Sequence, residues 1–230
     1  MPDITIQCPD GSFSAYLAKP KSGKGPGILV IQEIFGVNKD MRDHCDRLAA
    51  DGYIALCPDI FWRQQPGIQI TDQTEEEWAK AFELYKGFDV AKGVDDLKVS
   101  LAHLRKIDGC TGKAGSVGFC LGGLLAYIMA TDSDADCNVA YYGVGIDERL
   151  DDAKRITAPT LLHIAEEDGF VPKEAQEKIK AGLAGHPHVT IHSYPAVDHA
   201  FARNKGVNYN KEAADQAEAR TAACFAANLR

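Results

Sequence analysis

Residues 118 to 123 read Gly118-Phe119-Cys120-Leu121-Gly122-Gly123, between a β-type run, Ala114 to Val117, and an apolar helical run. Where a strand turns sharply into a helix, side chains two positions either side of the apex collide with neighbouring backbone. Gly118 and Gly122 therefore mark a nucleophile elbow with Cys120 at its apex. A cysteine so placed projects from the C-terminal edge of a sheet at the start of a helix. The positive N-terminal end of that helix favours a thiolate or a developing oxyanion. An ordinary cysteine is only a few per cent thiolate at neutral pH, so the chemistry requires a base.

The chain has seven histidines. His103 and His163 lie inside regular elements, where packing or surface roles are expected. His44, His186, His188 and His192 lie in polar stretches, and His186-Pro-His188 has no third ligand at metal-binding spacing. His199, in Ala196-Val197-Asp198-His199-Ala200-Phe201, follows the last β-type run, where an α/β hydrolase carries its base. The group that orients it should fall between nucleophile and base in the chain. Asp168, in Glu166-Glu167-Asp168-Gly169 after the run Thr160 to Ala165, meets that condition. Asp198 competes for the role, but an immediate neighbour in an extended segment points its side chain away from the ring.

The elements that must position these residues alternate between β-type and helix-type runs. Strands are expected at 13–18, 27–32, 53–57, 113–119, 139–142, 160–165 and 189–194, and helices at 41–50, 90–107, 121–131, after Pro172, and 211–229. In the 90–107 segment Val90, Val94, Leu97, Leu101 and Leu104 share one face, which predicts a helix lying on a sheet. The alternation implies right-handed crossovers and a mostly parallel sheet covered on both faces, with the opening strands as an antiparallel edge hairpin. Residues 63–74 form a polar loop expected to lie over the surface as a lid or rim.

Of the 230 residues, 45% are apolar and 25% charged, and 25 Lys plus Arg against 33 Asp plus Glu leave a formal net charge of -8. The acidic balance and the lack of a basic block exclude nucleic acid as a main partner. No apolar run approaches the roughly 18 residues needed to cross a bilayer, and the first residues lack the basic and apolar regions of a signal peptide. A cytoplasmic protein is expected. The seven cysteines are widely spaced without a Cys-x-x-Cys pair, so reduced, mostly buried thiols are expected rather than disulfides or a zinc site.

Five stretches together resemble the dienelactone hydrolase (carboxymethylenebutenolidase) family. They are Gln32-Glu33-Ile34-Phe35-Gly36-Val37-Asn38, Gly52-Tyr53 through Cys57-Pro58-Asp59, the elbow itself, Tyr141-Tyr142-Gly143-Val144-Gly145, and His199-Ala200-Phe201-Ala202-Arg203. They fall in order over nearly the whole chain. The resemblance implies a single α/β-hydrolase domain over residues 1–230, with a mostly parallel central sheet of about eight strands and helices on both faces. It also implies a Cys120-Asp168-His199 triad, an oxyanion hole from the backbone N–H groups of Ile34 and Leu121, and a Glu33 carboxylate that contacts the resting thiol and moves when substrate binds.

The substrate implied is a small anionic enol lactone, opened through a thioester by a monomer that needs no cofactor. Substrate contacts fall to Arg203, Phe35, Tyr142 and Phe201. The family's second carboxylate-binding arginine is replaced here by Trp78, either a core anchor of its helix or an apolar pocket wall. A broader esterase or thioesterase on the same triad is the nearest rival, and a thiol redox sensor without turnover is another. A glutamine-amidotransferase-like enzyme would need a late His-x-Glu, which does not follow Cys120.

Overall fold

The computed structural model describes residues 3–230. Strands β1 (Asp3–Cys8) and β2 (Gly11–Ala18) form an antiparallel hairpin at one edge of the sheet. The rest comprises β3 (Gly25–Ile31), β4 (Ile54–Pro58), β5 (Cys110–Phe119), β6 (Asn138–Tyr141), β7 (Thr160–Ala165) and β8 (Val189–Tyr194). Their order across the sheet is β1-β2-β4-β3-β5-β6-β7-β8. The β2–β4 pair is antiparallel and every later pair is parallel. Strands β3, β4, β6 and β7, mostly apolar, are buried along their whole length, as strands covered on both faces are.

Helices α1 (Lys39–Ala50), α2 (Glu75–Lys86), α3 (Val90–Lys106), α4 (Leu121–Asp132), α5 (Lys173–Gly182) and α6 (Lys211–Leu229) flank this sheet, an α/β-hydrolase fold. The α3 face predicted from periodicity buries Val94, Leu97, Leu101 and Leu104 against β3 and β5. Helix α4 is apolar all round because it is buried all round, between β5, β6 and α3. Among the described residues no helix is long and apolar enough to cross a membrane.

Differences from the sequence reading are local. Tyr142 leaves β6 with φ of 37° and turns towards the site, so that strand ends one residue early. Ile146–Arg155, where the sequence reading places no element, is a 3-10 stretch kinked at Arg149 that buries Ile146 and Ala153. The 63–74 loop is more than a rim: Ile68 and Asp72 are buried, Gly67 N–H donates to Asp59, and Gly36 bridges to Gln69. His163 is buried, bonded to the Tyr194 hydroxyl at 2.8 Å and to Thr221 at 3.0 Å, and so helps dock α6 on the sheet. The seven cysteines are all free. Cys45, Cys57, Cys120 and Cys137 are buried, and Cys8, Cys110 and Cys224 are half-buried.

Candidate active site

Cys120 sits between β5 and α4 with φ of 56° and ψ of -115°, a left-handed, strained backbone for a residue with a side chain. The turn is tight enough that a Cβ on Gly118 would lie 1.9 Å from the Gly122 carbonyl oxygen, and one on Gly122 would lie 2.3 Å from that of Ile31. Strand and helix can approach this closely only because both positions lack side chains. The Cys120 N–H donates to the Tyr141 carbonyl at 3.1 Å, pinning the elbow to β6. Among the described residues the N–H groups of Leu121 and Ile34 have no acceptor, which leaves both free beside the thiol.

The loop after β8 brings His199 to the same cleft. Its Nδ1–H donates to both Asp168 carboxylate oxygens, at 2.9 and 3.0 Å. Asp168 Oδ1 also accepts from the N–H groups of Phe170 at 2.8 Å and Val171 at 3.0 Å, so the carboxylate is fixed before it orients the ring. Nε2 is buried without a close hydrogen bond, and the Cys120 thiol is the partner left to it. Burial lowers the His199 pKa, but the charge of Cys120 and the Asp168 hydrogen bond outweigh it and raise the group to about 10. Asp198 does not face the ring. Its Oδ1 accepts from Gly169 N–H at 2.9 Å and His199 N–H at 2.6 Å, tying the acid loop to the base loop.

Glu33 and Arg203 are placed otherwise than the resemblance implies. Glu33 Oε2 accepts from Arg203 Nε at 2.6 Å, and its buried Oε1 has no partner, the thiol included. Arg203 Nη1 donates to Asp72 Oδ2 at 2.7 Å, and its guanidinium lies 4.7 Å over the Phe35 ring. One buried cation thus holds two buried carboxylates, and Arg203 is not free to receive a substrate carboxylate through Nε or Nη1. The geometry follows from burial, since an unpaired carboxylate in this interior would be costly. Burial pushes Asp72 up, but the Val207 N–H and Arg203 together hold it below the usual carboxylate range.

Trp78 lines the cleft and also anchors its helix. Its Nε1–H donates to the Asp72 carbonyl at 3.0 Å, and its ring meets Phe35 edge-on at 5.1 Å and stacks on Phe82 at 5.5 Å. Phe170 completes an aromatic wall, 6.4 Å from Trp78 and 4.8 Å from the His199 ring. Trp78, Phe82 and Tyr85 recur at i, i+4 and i+7 on α2, a helical spacing through which the sequence could have revealed them. Phe170 and Asp72 carry no comparable signal. Tyr142 and Phe201, expected to touch substrate, are instead buried behind His199. The Tyr142 ring packs edge-on against His199 at 5.0 Å and against Phe201 at 5.5 Å, and Phe201 is fully buried.

Beside Arg203 and Asn204 both oxygens of Asp40 are buried without a close hydrogen bond, with His44 Nε2 3.6 Å from Oδ2. Burial, and next the charge of Glu33, raise its pKa to about 7 against the pull of Arg47 and Arg203. A folded-state pKa above the unfolded one means that the neutral carboxyl stabilises the fold in acid and the contribution is lost as pH rises through about 7. The loss starts at the unfolded carboxyl pKa of about 4, so Asp40→Asn, neutral throughout, should raise the melting temperature above wild type at about pH 8.5 and change it little at about pH 3.5. Thermal melts at both values check the sign.

Residues 13–229 match the model of the dienelactone hydrolase family. The chain is 53% identical to a protein of Azospirillum brasilense that carries a provisional carboxymethylenebutenolidase name, over 100% of both chains. It is 39% identical to the carboxymethylenebutenolidase of Pseudomonas sp. (strain P51), over 92% of this chain and 88% of that one. Among solved structures, one from Klebsiella pneumoniae subsp. pneumoniae MGH 78578, provisionally named a dienelactone hydrolase, superposes with a TM-score of 0.88 at 29% identity, covering 98% of this chain and 97% of that one. The chain belongs to the dienelactone hydrolase family and is a hydrolase.

Proposed function

We propose that this protein hydrolyses a small lactone or activated ester, of the dienelactone-like enol lactone type, by acyl transfer to Cys120. The observation that carries the reading is one cleft holding the Cys120 thiol and a His199 whose Nδ1 is fixed by Asp168 and whose Nε2 is free. Cys120 Sγ, its proton carried by His199 Nε2, attacks the carbonyl carbon. The oxyanion is received by the N–H groups of Ile34 and Leu121. Collapse breaks the acyl C–O bond, and the departing enolate or alkoxide takes the proton back from His199. Water, deprotonated by His199, then attacks the thioester and releases Cys120 and the free acid.

Trapping tests this directly. Wild type quenched during turnover of a p-nitrophenyl ester should gain the mass of one acyl group on the peptide containing Cys120, labile to hydroxylamine, with a burst of p-nitrophenol. Turnover that continues without an adduct at Cys120 would overturn the reading. A reactive thiol with no turnover on any lactone or ester would favour the redox-sensor alternative.

A further inference from the structure

We infer that Cys137 and Cys224 form a reversible oxidation site, closing to a disulfide that fastens α6 to the sheet when the protein meets a hydroperoxide. The site lies away from the Cys120 cleft and does not depend on the acyl-transfer reading. Cys137 immediately precedes β6 and Cys224 stands in the second half of α6, yet the two free thiols are hydrogen-bonded to each other. A Cβ on Gly115 would lie 2.9 Å from Cys137 Sγ and 3.3 Å from Leu229 Cδ1. The Cys137 sulfur therefore faces the end of α6, beside a strand position that a glycine leaves open.

The two sulfurs differ in the ways such chemistry needs. Cys224 is half-buried and open to an oxidant, whereas Cys137 is fully buried. The hydrogen bond from Cys137 lowers the Cys224 pKa against the effect of burial, and Asn228 Nδ2, 3.8 Å from the Cys224 sulfur, adds to it. Cys224 is thus the thiolate that reacts first. It attacks a peroxide oxygen, the O–O bond breaks, and a sulfenic acid forms while the departing alkoxide or hydroxide takes up a proton. Cys137 then displaces the sulfenic oxygen, which leaves with the Cys137 proton as water. The two thiols give up two electrons and the hydroperoxide accepts them. The Cys137 pKa is pushed up first by the hydrogen bond to Cys224, a cause that ends once Cys224 is oxidised. A second pair supplies the contrast: Cys45 and Cys57 are also hydrogen-bonded to each other, but both are 0% exposed and shut off from an oxidant. The new bond would join contacts that already dock α6, where Thr221 meets Tyr141 at 2.7 Å and His163 at 3.0 Å.

The test treats reduced, desalted wild type with a slight excess of hydrogen peroxide. Remaining thiols are alkylated in denaturant and the chain is cut before its aspartates, which at Asp136 separates Cys120 from Cys137. A linked pair of peptides holding Cys137 and Cys224, two hydrogens lighter than their sum, is expected, with Cys45 and Cys57 recovered as alkylated thiols. Because the link closes a long loop of the unfolded chain, the oxidised protein should melt at least about 5 °C higher and return to its starting value with dithiothreitol. Cys224→Ser should show neither the link nor the shift. In Cys137→Ala the reaction should stop at a Cys224 sulfenic acid that dimedone captures. Cys224 left as a thiol, carried on to sulfinic acid while Cys137 is still alkylated, or linked to another cysteine instead overturns the inference. A Cys137–Cys224 link that leaves the melt unchanged overturns the claim that it fastens α6.

Discussion

Cys120→Ala and His199→Ala are each expected to lower lactone turnover by on the order of 10⁴-fold or more while leaving the fold in place. The size follows from the way the three groups act as a unit. Without the sulfur there is no covalent step, and without the imidazole neither the thiol nor the attacking water loses its proton. The fold should survive because the elbow and the acid loop are held by backbone contacts that neither substitution removes. The elbow is built from the missing side chains of Gly118 and Gly122 and from the Cys120 N–H bond to β6, all retained in Cys120→Ala. In His199→Ala the Asp168 carboxylate keeps its two backbone donors, Phe170 and Val171. Steady-state assays paired with thermal melts decide the matter. Either variant retaining a tenth of wild-type kcat, with an unchanged melt, would remove that residue from the mechanism.

Arg203→Met is expected to be the most destabilising single change at the site that leaves the backbone untouched. Its guanidinium is the hydrogen-bonded counter-ion of both Glu33 and Asp72, and all three side chains are 3–7% exposed. Removing one member of a buried ion pair strands the others, a loss of about 3–5 kcal/mol. In a chain of this size that corresponds to roughly 10 °C in melting temperature. The pH dependence separates this cause from lost packing. Asp72 is held below the usual carboxylate range in part by Arg203, so the stability it contributes is present above the unfolded pKa and disappears as pH falls through the folded one. The gap between wild type and Arg203→Met should therefore narrow in acid, and adding Glu33→Gln and Asp72→Asn should recover part of it at neutral pH. A gap that stays constant with pH would assign the loss to the packing of the side chain on Phe35.

The legible part of this protein is local in origin. The elbow could be read from six consecutive residues because the clash that demands Gly118 and Gly122 arises within the turn and against the strand beside it. Strands β7 and β8 and helix α6 fall where apolar runs and spacing place them, since periodicity records burial directly. The order Cys120, Asp168, His199 was legible because each follows a strand. Tyr142 shows where such reading stops: it continues the apolar run of β6, yet the backbone turns at that residue and buries the ring behind His199.

By itself, then, the sequence determined the alternating architecture, the nucleophile turn and the residues that meet at the strand ends, all properties set by neighbours a few positions apart. Only the tertiary structure decided what surrounds them. Glu33 and Arg203 are 170 positions apart, and Asp72 and Arg203 are 131 apart. No spacing rule indicates that a glutamate will answer to an arginine rather than to a thiol. That choice is made by burial: once the 63–74 loop folds inward and carries Asp72 beneath the aromatic wall, charges that cannot reach water must pair with one another.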